Sequence, residues 1–184
     1  MPPKAKLTKQ DIQASATELV RERGIAGLTA KALAAKLKCS TQPIFWAYEN
    51  MEEVRRSVRD EALQRFGEYL REPQEGASAY LSVGLNYIRF AEEEKELFKL
   101  LFMSEDGEDI LTAHKEMPYV LSVIEQTENI SGKEAQNVYE EMWMLSHGIA
   151  TMIATGTARF TKERIRGILH DVYYGILQNV RKGK

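Results

Sequence analysis

The sequence predicts an all-α protein of about nine helices. Apolar residues recur at spacings of three and four along most of the chain, sustained strand-like alternation is absent, and helix-start and helix-stop residues separate the apolar stripes. We expect a small helix-turn-helix unit over residues 1–52 and a larger helical body over residues 53–184. No apolar run approaches the roughly 20 residues that span a bilayer, so we expect no membrane segment.

The first predicted helix follows Thr8, which is placed to cap its N-terminus. Asp11 occupies the third helical position, where a carboxylate favours the positive end of the helix dipole. Gly24 follows the last turn and can adopt the positive φ that ends many helices. The inner face of this helix is formed by Ile12, Ala16, Leu19 and Val20.

Two short helices follow, separated by a polar corner at residues 38–40. Thr29 is placed to cap the first helix and Ser40 to cap the second. Pro43 falls in the first turn of the second helix, where N–H groups have no partner inside the helix. This spacing is that of a helix-turn-helix unit, whose second helix is short enough to enter the major groove of DNA.

The second of these short helices has an inner and an outer face. Ile44 and Tyr48, four residues apart, are expected to pack inward on Leu33 and Leu37. For Trp46 the alternative is packing within the N-terminal unit, because large aromatic side chains are usually buried. The residues left to face outward are Thr41, Gln42, Phe45 and Trp46.

Further helices are expected from similar signals. Asn50 is placed to cap a fourth helix, and Glu53 completes an arrangement like a capping box. A second such box is predicted at Ser131 and Glu134. The remaining helices are expected at about 77–91, 93–103, 109–126, 131–155 and 161–180.

Charge is distributed unevenly along the chain. Residues 1–50 contain eight cationic and four acidic side chains, a net charge of +4, which leaves −6 for the rest because the total is −2. Affinity for a polyanion depends on the local field, so a basic N-terminal unit favours a nucleic-acid partner.

Sites with metal or catalytic chemistry are not predicted. The three histidines, His114, His147 and His170, lack the spacing of a di-iron bundle or a zinc hydrolase, and there is no glycine-rich phosphate loop. We therefore expect no metal, no cofactor and no catalytic residue. The single cysteine, Cys39, excludes an internal disulfide framework and favours the reducing cytoplasm.

The last two predicted helices have more apolar surface than a small body can bury. Pairing across a two-fold axis is the expected solution, so we predict a homodimer. On the penultimate helix the interface residues are Gly148, Met152 and Thr155, whose small members permit close approach. On the last helix they are Ile165, Leu169, Val172, Tyr173 and Ile176.

The N-terminal residues resemble the signature of the TetR family of transcription regulators. The similarity covers residues 8–58 and includes Leu28-Thr29, Leu33-Ala34 and the run at residues 40–54. Residues 87–102 are similar to a run of the family's ligand domain. Residues 143–148, Trp-Met-Leu-Ser-His-Gly, match the Trp-x-x-x-His-Gly motif of its WHG subgroup.

This resemblance implies a homodimeric repressor with a double-stranded DNA operator of palindromic sequence. It also implies a small-molecule effector, largely apolar, bound in the body. Aromatic and methionine side chains line adaptable apolar pockets, although each one alone is most simply a core residue. The candidates for the effector pocket are Phe66, Tyr87, Phe102, Met103, Trp143 and His147.

The resemblance also assigns roles at the DNA, with departures. Thr29 and Ser40 would contact phosphates, while Thr41, Gln42 and Trp46 would contact bases. Lys38 stands where the family usually has glycine, and Phe45, Ala47 and Met51 replace three residues that commonly hold phosphates. We expect Lys36, Lys38 and the N-terminal Lys4, Lys6 and Lys9 to substitute for them. The alternative is a helical adaptor that binds a protein and has lost DNA binding.

Overall fold

The computed structural model describes residues 7–103 and 115–182. Within these ranges the chain forms nine α-helices, one short 3₁₀ turn and no strand, which confirms the predicted all-α class. The helices are α1 Lys9–Arg23, α2 Ala30–Lys36, α3 Gln42–Ala47, α4 Met51–Arg71, α5 Ala79–Glu93, α6 Lys95–Phe102, α7 Met117–Glu128, α8 Lys133–Thr155 and α9 Lys162–Lys182. Part of the helix predicted at 109–126, together with His114, Lys4 and Lys6, lies outside the described residues.

The chain divides into two compact units. The first contains α1, α2, α3, the part of α4 up to Arg65, and α6. The second contains the rest of α4 from Phe66, together with α5, α7, α8 and α9. The unit boundary therefore falls inside α4, whereas the sequence placed a boundary after residue 52.

Three predicted helix caps in the first unit are confirmed. Thr8 Oγ1 accepts a hydrogen bond from the Asp11 N–H at 3.1 Å, and Asp11 Oδ2 accepts one from the Thr8 N–H at 2.9 Å. Thr29 Oγ1 accepts from the Ala32 N–H at 3.1 Å. Asn50 Oδ1 accepts from the Glu53 N–H at 2.9 Å, although the Glu53 carboxylate returns to the N–H of Glu49 rather than to that of Asn50.

Two predicted caps are wrong. Helix α3 begins after Thr41, so Ser40 does not cap it, and Thr41 itself makes no side-chain cap bond. A cap on Ser40 would need a backbone N–H from the next residues. Pro43 has no N–H, and the Ile44 N–H already donates to the Thr41 carbonyl at 3.1 Å. Helix α8 begins after Gly132, whose φ of 58° and ψ of −131° suit glycine, so Ser131 lies one residue too early.

The first unit has a continuous apolar core. The predicted inner face of α1 is confirmed as buried, and Leu33, Ile44 and Tyr48 are buried with it. Leu37 is only half-buried. Gln13 Nε2 donates to the Ser57 carbonyl at 2.9 Å, which ties α1 to α4.

A buried carboxylate joins three helices of the first unit. Glu94, which precedes α6, is only 5% exposed. Its Oε2 accepts a hydrogen bond from Arg21 Nε of α1 at 2.6 Å, and its Oε1 accepts one from Arg65 Nη1 of α4 at 3.0 Å. Burying a carboxylate is costly unless it is paired, and here both of its oxygens are paired with guanidinium groups.

The second unit is built around α5, which packs against α8. Tyr87 and Phe90 of α5 lie edge-on to Phe66, with ring centroids 5.3 and 5.1 Å away. Buried Asn86 accepts a hydrogen bond from Gln74 and donates to the Glu72 carbonyl, which fixes the connection between α4 and α5. Among the described residues, no helix is long and apolar enough to cross a membrane.

Candidate functional site

The corner between α2 and α3 is held by a Schellman motif. The Lys38 N–H donates to the Ala35 carbonyl at 3.1 Å, and the Cys39 N–H donates to the Ala34 carbonyl at 3.0 Å. Lys38 therefore occupies the position usually taken by glycine, and its φ is 54°. The prediction that a non-glycine residue holds this turn is confirmed, at a cost of roughly 1 kcal/mol relative to glycine.

Helix α3 separates buried from exposed side chains as its spacing predicts. Ile44 and Tyr48 are 0% and 2% exposed and anchor the helix in the core. On the other side Trp46 is 77% exposed and Phe45 is 45% exposed, so Trp46 does not pack within its own unit. The other exposed positions nearby are Thr41, Gln42, Ser40 and Lys38.

Several cations near this surface are already paired. Lys36 Nζ lies 2.7 Å from Glu22 Oε1, and the Lys36 ammonium lowers the pKa of that carboxyl. Lys9 Nζ lies 2.8 Å from Glu53 Oε1 and also sits 4.4 Å from the centre of the Tyr48 ring. Within the described ranges Lys38 makes no ion pair. Thr29 uses its hydroxyl oxygen for the helix cap, which leaves its hydroxyl hydrogen available.

The second unit contains an apolar cavity of about 510 Å³ of empty space, counting its open mouth. Aliphatic side chains from α5, α7 and α9 contribute to its wall. The wall also includes Tyr80, Tyr87, Tyr139, Trp143, Ser146 and Tyr173.

Two of the six predicted pocket residues, Tyr87 and Trp143, line this cavity. His147 is stacked on Trp143 with ring centroids 4.7 Å apart, and its Nδ1 shares a hydrogen bond of 3.0 Å with the Tyr87 hydroxyl. Phe66 lies edge-on to Tyr87 in the core. Phe102, which is buried, and Met103, which is 41% exposed, belong to the first unit.

Burial disfavours the charged forms of the polar groups in and beside this cavity. It raises the pKa of Tyr80 and Tyr87 well above the usual range, and raises the pKa of Tyr139 to about 12. It also lowers the pKa of His147, since burial disfavours the charged imidazolium. These side chains therefore act as neutral hydrogen-bonding groups.

The predicted dimer residues fall into two classes. Gly148, Met152 and Thr155 of α8 are exposed, as is Val172 of α9. The other four residues of α9 are at most 7% exposed and pack inside their own unit, which leaves them little surface for another chain: Ile165, Leu169, Tyr173 and Ile176. Met144 and Tyr174 are large apolar side chains that the sequence analysis did not select, and they are 55% and 46% exposed.

No protein-family model and no curated protein matches the sequence. Two solved structures are similar to this one at 16% sequence identity. A protein of unknown function from Rhodococcus sp. RHA1 has a TM-score of 0.73, over 97% of this chain and 98% of that one. A member of the TetR family from Streptomyces coelicolor A3 has a TM-score of 0.62, over 89% of this chain and 96% of that one. The chain has a TetR-like fold.

A TetR-like fold by itself does not supply metal or catalytic chemistry, which must come from particular residues. Among the described residues, no group of three or more His, Cys, Asp or Glu side chains is placed to hold a metal ion. Tyr139, which also lines the cavity, was not among the predicted pocket residues, although it lies four residues before Trp143 on the same face of α8. That spacing was the available signal.

Proposed function

We propose that this protein is a homodimeric transcription repressor that binds a palindromic double-stranded DNA operator through α3. A small-molecule effector in the cavity of the second unit releases it from the DNA. The observation that carries the proposal is the exposed face of α3, where Thr41, Gln42 and Trp46 follow a rigid corner. We assign the protein to the cytoplasm, where the single Cys39 stays reduced.

The exposed side chains divide into two roles at the DNA. Gln42 can accept and donate in the major groove, where a glutamine amide pairs with the edge of adenine. Phe45 and Trp46 offer apolar surface of the kind that contacts the methyl group of thymine. Phosphate contacts, which set the register but carry no sequence information, fall to Thr29, Lys36, Lys38 and Ser40.

A binding assay on the DNA upstream of the protein's own gene tests this proposal. Fluorescence anisotropy should detect binding at low salt, and Gln42→Ala should weaken it by about 1–3 kcal/mol while relaxing sequence preference. Gln126→Ala, at an exposed position of α7, is the matched control and should bind as the wild type does. Equal binding by Gln42→Ala would remove Gln42 from this role.

A protein-binding adaptor is the second candidate. It is favoured by the exposed Phe45 and Trp46, and by the ion pairs that already engage Lys9 and Lys36. The salt dependence of DNA binding separates the two candidates. Each phosphate contact releases a counterion, so a repressor should lose affinity steeply between low and physiological salt. A flat or absent salt response favours the adaptor.

The dimer is proposed to form through the exposed faces of α8 and α9. Met144, Gly148 and Met152 recur every four residues along α8, and Val172 and Tyr174 are exposed on α9. Nothing lies within 4 Å of a Cβ added at Gly148, so a side chain fits there within one chain. A large side chain at position 148 should therefore leave the fold of one chain unchanged and prevent close packing of a second chain.

Sedimentation measurements test the dimer. The wild type should sediment at twice the chain mass of 21.0 kDa, and Gly148→Arg should sediment as the single chain with an unchanged helix content. Gln136→Arg is the control, since position 136 lies about 120° around α8 from Gly148. A wild type that is monomeric at micromolar concentration contradicts the proposed assembly.

The effector is proposed to act by binding one conformation of the protein more tightly than another. A ligand shifts a conformational equilibrium only by the difference of its affinities for the two states. The cavity of the second unit is the proposed site, because it is concave and apolar with a few polar groups, as ligand sites usually are.

A further inference from the structure

The part of the cavity wall that the structure describes carries no charged side chain. Of the described residues that line it, none is Lys, Arg, His, Asp or Glu. An ionised ligand group inside it would lose its hydration without gaining an opposite charge, and that loss is costly in an apolar environment. A charged ligand is therefore disfavoured in this cavity.

Two buried hydrogen-bond donors in the wall have no partner among the described residues. They are the hydroxyl of Tyr139, and Nε1 of Trp143, which lies near the Tyr87 hydroxyl without forming a well-aligned hydrogen bond to it. The two side chains lie four residues apart on α8, so they occupy the same face of that helix. Leaving a buried donor unpaired is unfavourable, and nearly all such groups in folded proteins find a partner.

Two other hydroxyls of the same wall have partners within the protein. The Tyr173 hydroxyl donates to Glu128 Oε1 at 2.8 Å, and the Tyr87 hydroxyl shares its hydrogen bond with His147. An indole N–H can only donate, so what completes it must be an acceptor.

We infer that the cavity binds an uncharged, largely apolar molecule carrying one hydrogen-bond acceptor, such as a ketone or ester oxygen, held by Tyr139 and Trp143. A carbonyl oxygen has two lone pairs and can accept from both donors. A pure hydrocarbon would leave both donors unpaired. This inference rests on the proposed function, because it names the chemical class of the effector.

Three probes of nearly equal shape test the inference. They are tetralin, the ketone α-tetralone, and tetralin carboxylate. Binding is measured on the full-length protein by titration calorimetry and by the fluorescence of Trp143 in a Trp46→Phe background, since the chain has two tryptophans. The ketone should bind roughly tenfold more tightly than tetralin, and the carboxylate should bind least.

Tyr139→Phe removes one donor while keeping the shape of the side chain. It should reduce the preference for the ketone over tetralin to a few-fold and leave the affinity for tetralin unchanged. Tyr69→Phe is the control, because the Tyr69 hydroxyl bonds to Glu93 outside the cavity, and it should keep the full preference. Without ligand, Tyr139→Phe should unfold at the same temperature as the wild type or a higher one, because the hydroxyl it removes has no partner.

The outcomes separate the inference from the proposed function. The inference is overturned if ketone and hydrocarbon bind equally, if the carboxylate binds most tightly, or if no probe binds. Anisotropy of the DNA complex is read with the same probes on protein that retains Trp46, since Trp46 belongs to the proposed DNA surface. A ketone that binds with the expected preference but leaves the DNA bound supports the ligand class and contradicts the effector role. Release of DNA by all three probes alike supports the effector role and contradicts the ligand class.

Discussion

Glu94→Gln is expected to lower the stability of the first unit clearly, although it barely changes the shape of the side chain. The carboxylate of Glu94 is 5% exposed and accepts hydrogen bonds from Arg21 Nε at 2.6 Å and Arg65 Nη1 at 3.0 Å. Glutamine has one acceptor oxygen, so its NH₂ group must face one of the two guanidinium groups, donor against donor. Breaking a buried charge pair costs about 3–5 kcal/mol when no other partner is present.

The expected cost here is smaller because both arginines keep other partners. Their side chains are 36% and 30% exposed, Arg21 also pairs with Glu18 at 2.7 Å, and Arg65 lies 3.9 Å from Glu61. We therefore expect Glu94→Gln to lower the free energy of unfolding by about 2 kcal/mol.

Urea unfolding followed by circular dichroism measures this cost. Glu52→Gln is the control, because Glu52 is 70% exposed and lies 3.5 Å from Arg55 in an ion pair on the surface. It should change the free energy of unfolding by less than about 0.5 kcal/mol. If Glu94→Gln costs no more than this control, the buried carboxylate does not stabilise the three-helix junction and the reasoning is refuted.

Two further predictions concern the corner and the buried histidine. Lys38→Gly should raise the free energy of unfolding by roughly 0.5–1 kcal/mol, because glycine adopts the observed φ of 54° without strain. The same variant should weaken DNA binding and reduce its salt slope by about 1, measured by anisotropy over a salt series; unchanged stability contradicts the strain argument. Burial lowers the pKa of His147 below its usual 6.5, so the unfolded chain binds a proton at this side chain more readily than the folded protein does. The contribution of His147 to stability is therefore fully present above pH 6.5. It is lost as the pH falls from 6.5 towards the pKa of His147 in the folded protein. Urea unfolding over this pH window should show a shallower decline for His147→Gln than for the wild type, and parallel declines contradict the assignment.

The sequence predicted the all-α fold because its signals are local. Caps such as Thr8, Thr29 and Asn50 depend on a side chain three residues from its partner, and such contacts can be inferred from spacing alone. The caps predicted at Ser40 and Ser131 failed because a neighbouring proline or glycine shifted the first turn. A preference for capping does not decide where a helix begins when the next residues constrain the backbone.

The cavity was harder to predict because it depends on packing between distant segments. Tyr87 and Trp143 were selected for their type and do line it, whereas Tyr139 was not selected although it lies four residues before Trp143 on α8. Phe102 and Met103 share the composition of pocket residues yet lie in the other unit. Composition identifies side chains that could line a pocket, whereas their arrangement around one cavity requires the packed helices.

Helix α9 shows why a periodic apolar stripe does not identify an interface. Residues 165, 169, 173 and 176 follow helical spacing, and the structure buries all four within one chain. Val172 and Tyr174 lie on other sides of the same helix and are exposed. A helix that packs on its own unit and also pairs with a partner needs two apolar faces, and the stronger stripe is expected to face the core because that burial is larger. The weaker and partly exposed set is therefore the better predictor of a partner surface, which is why the dimer test uses the exposed face of α8 rather than the stripe of α9.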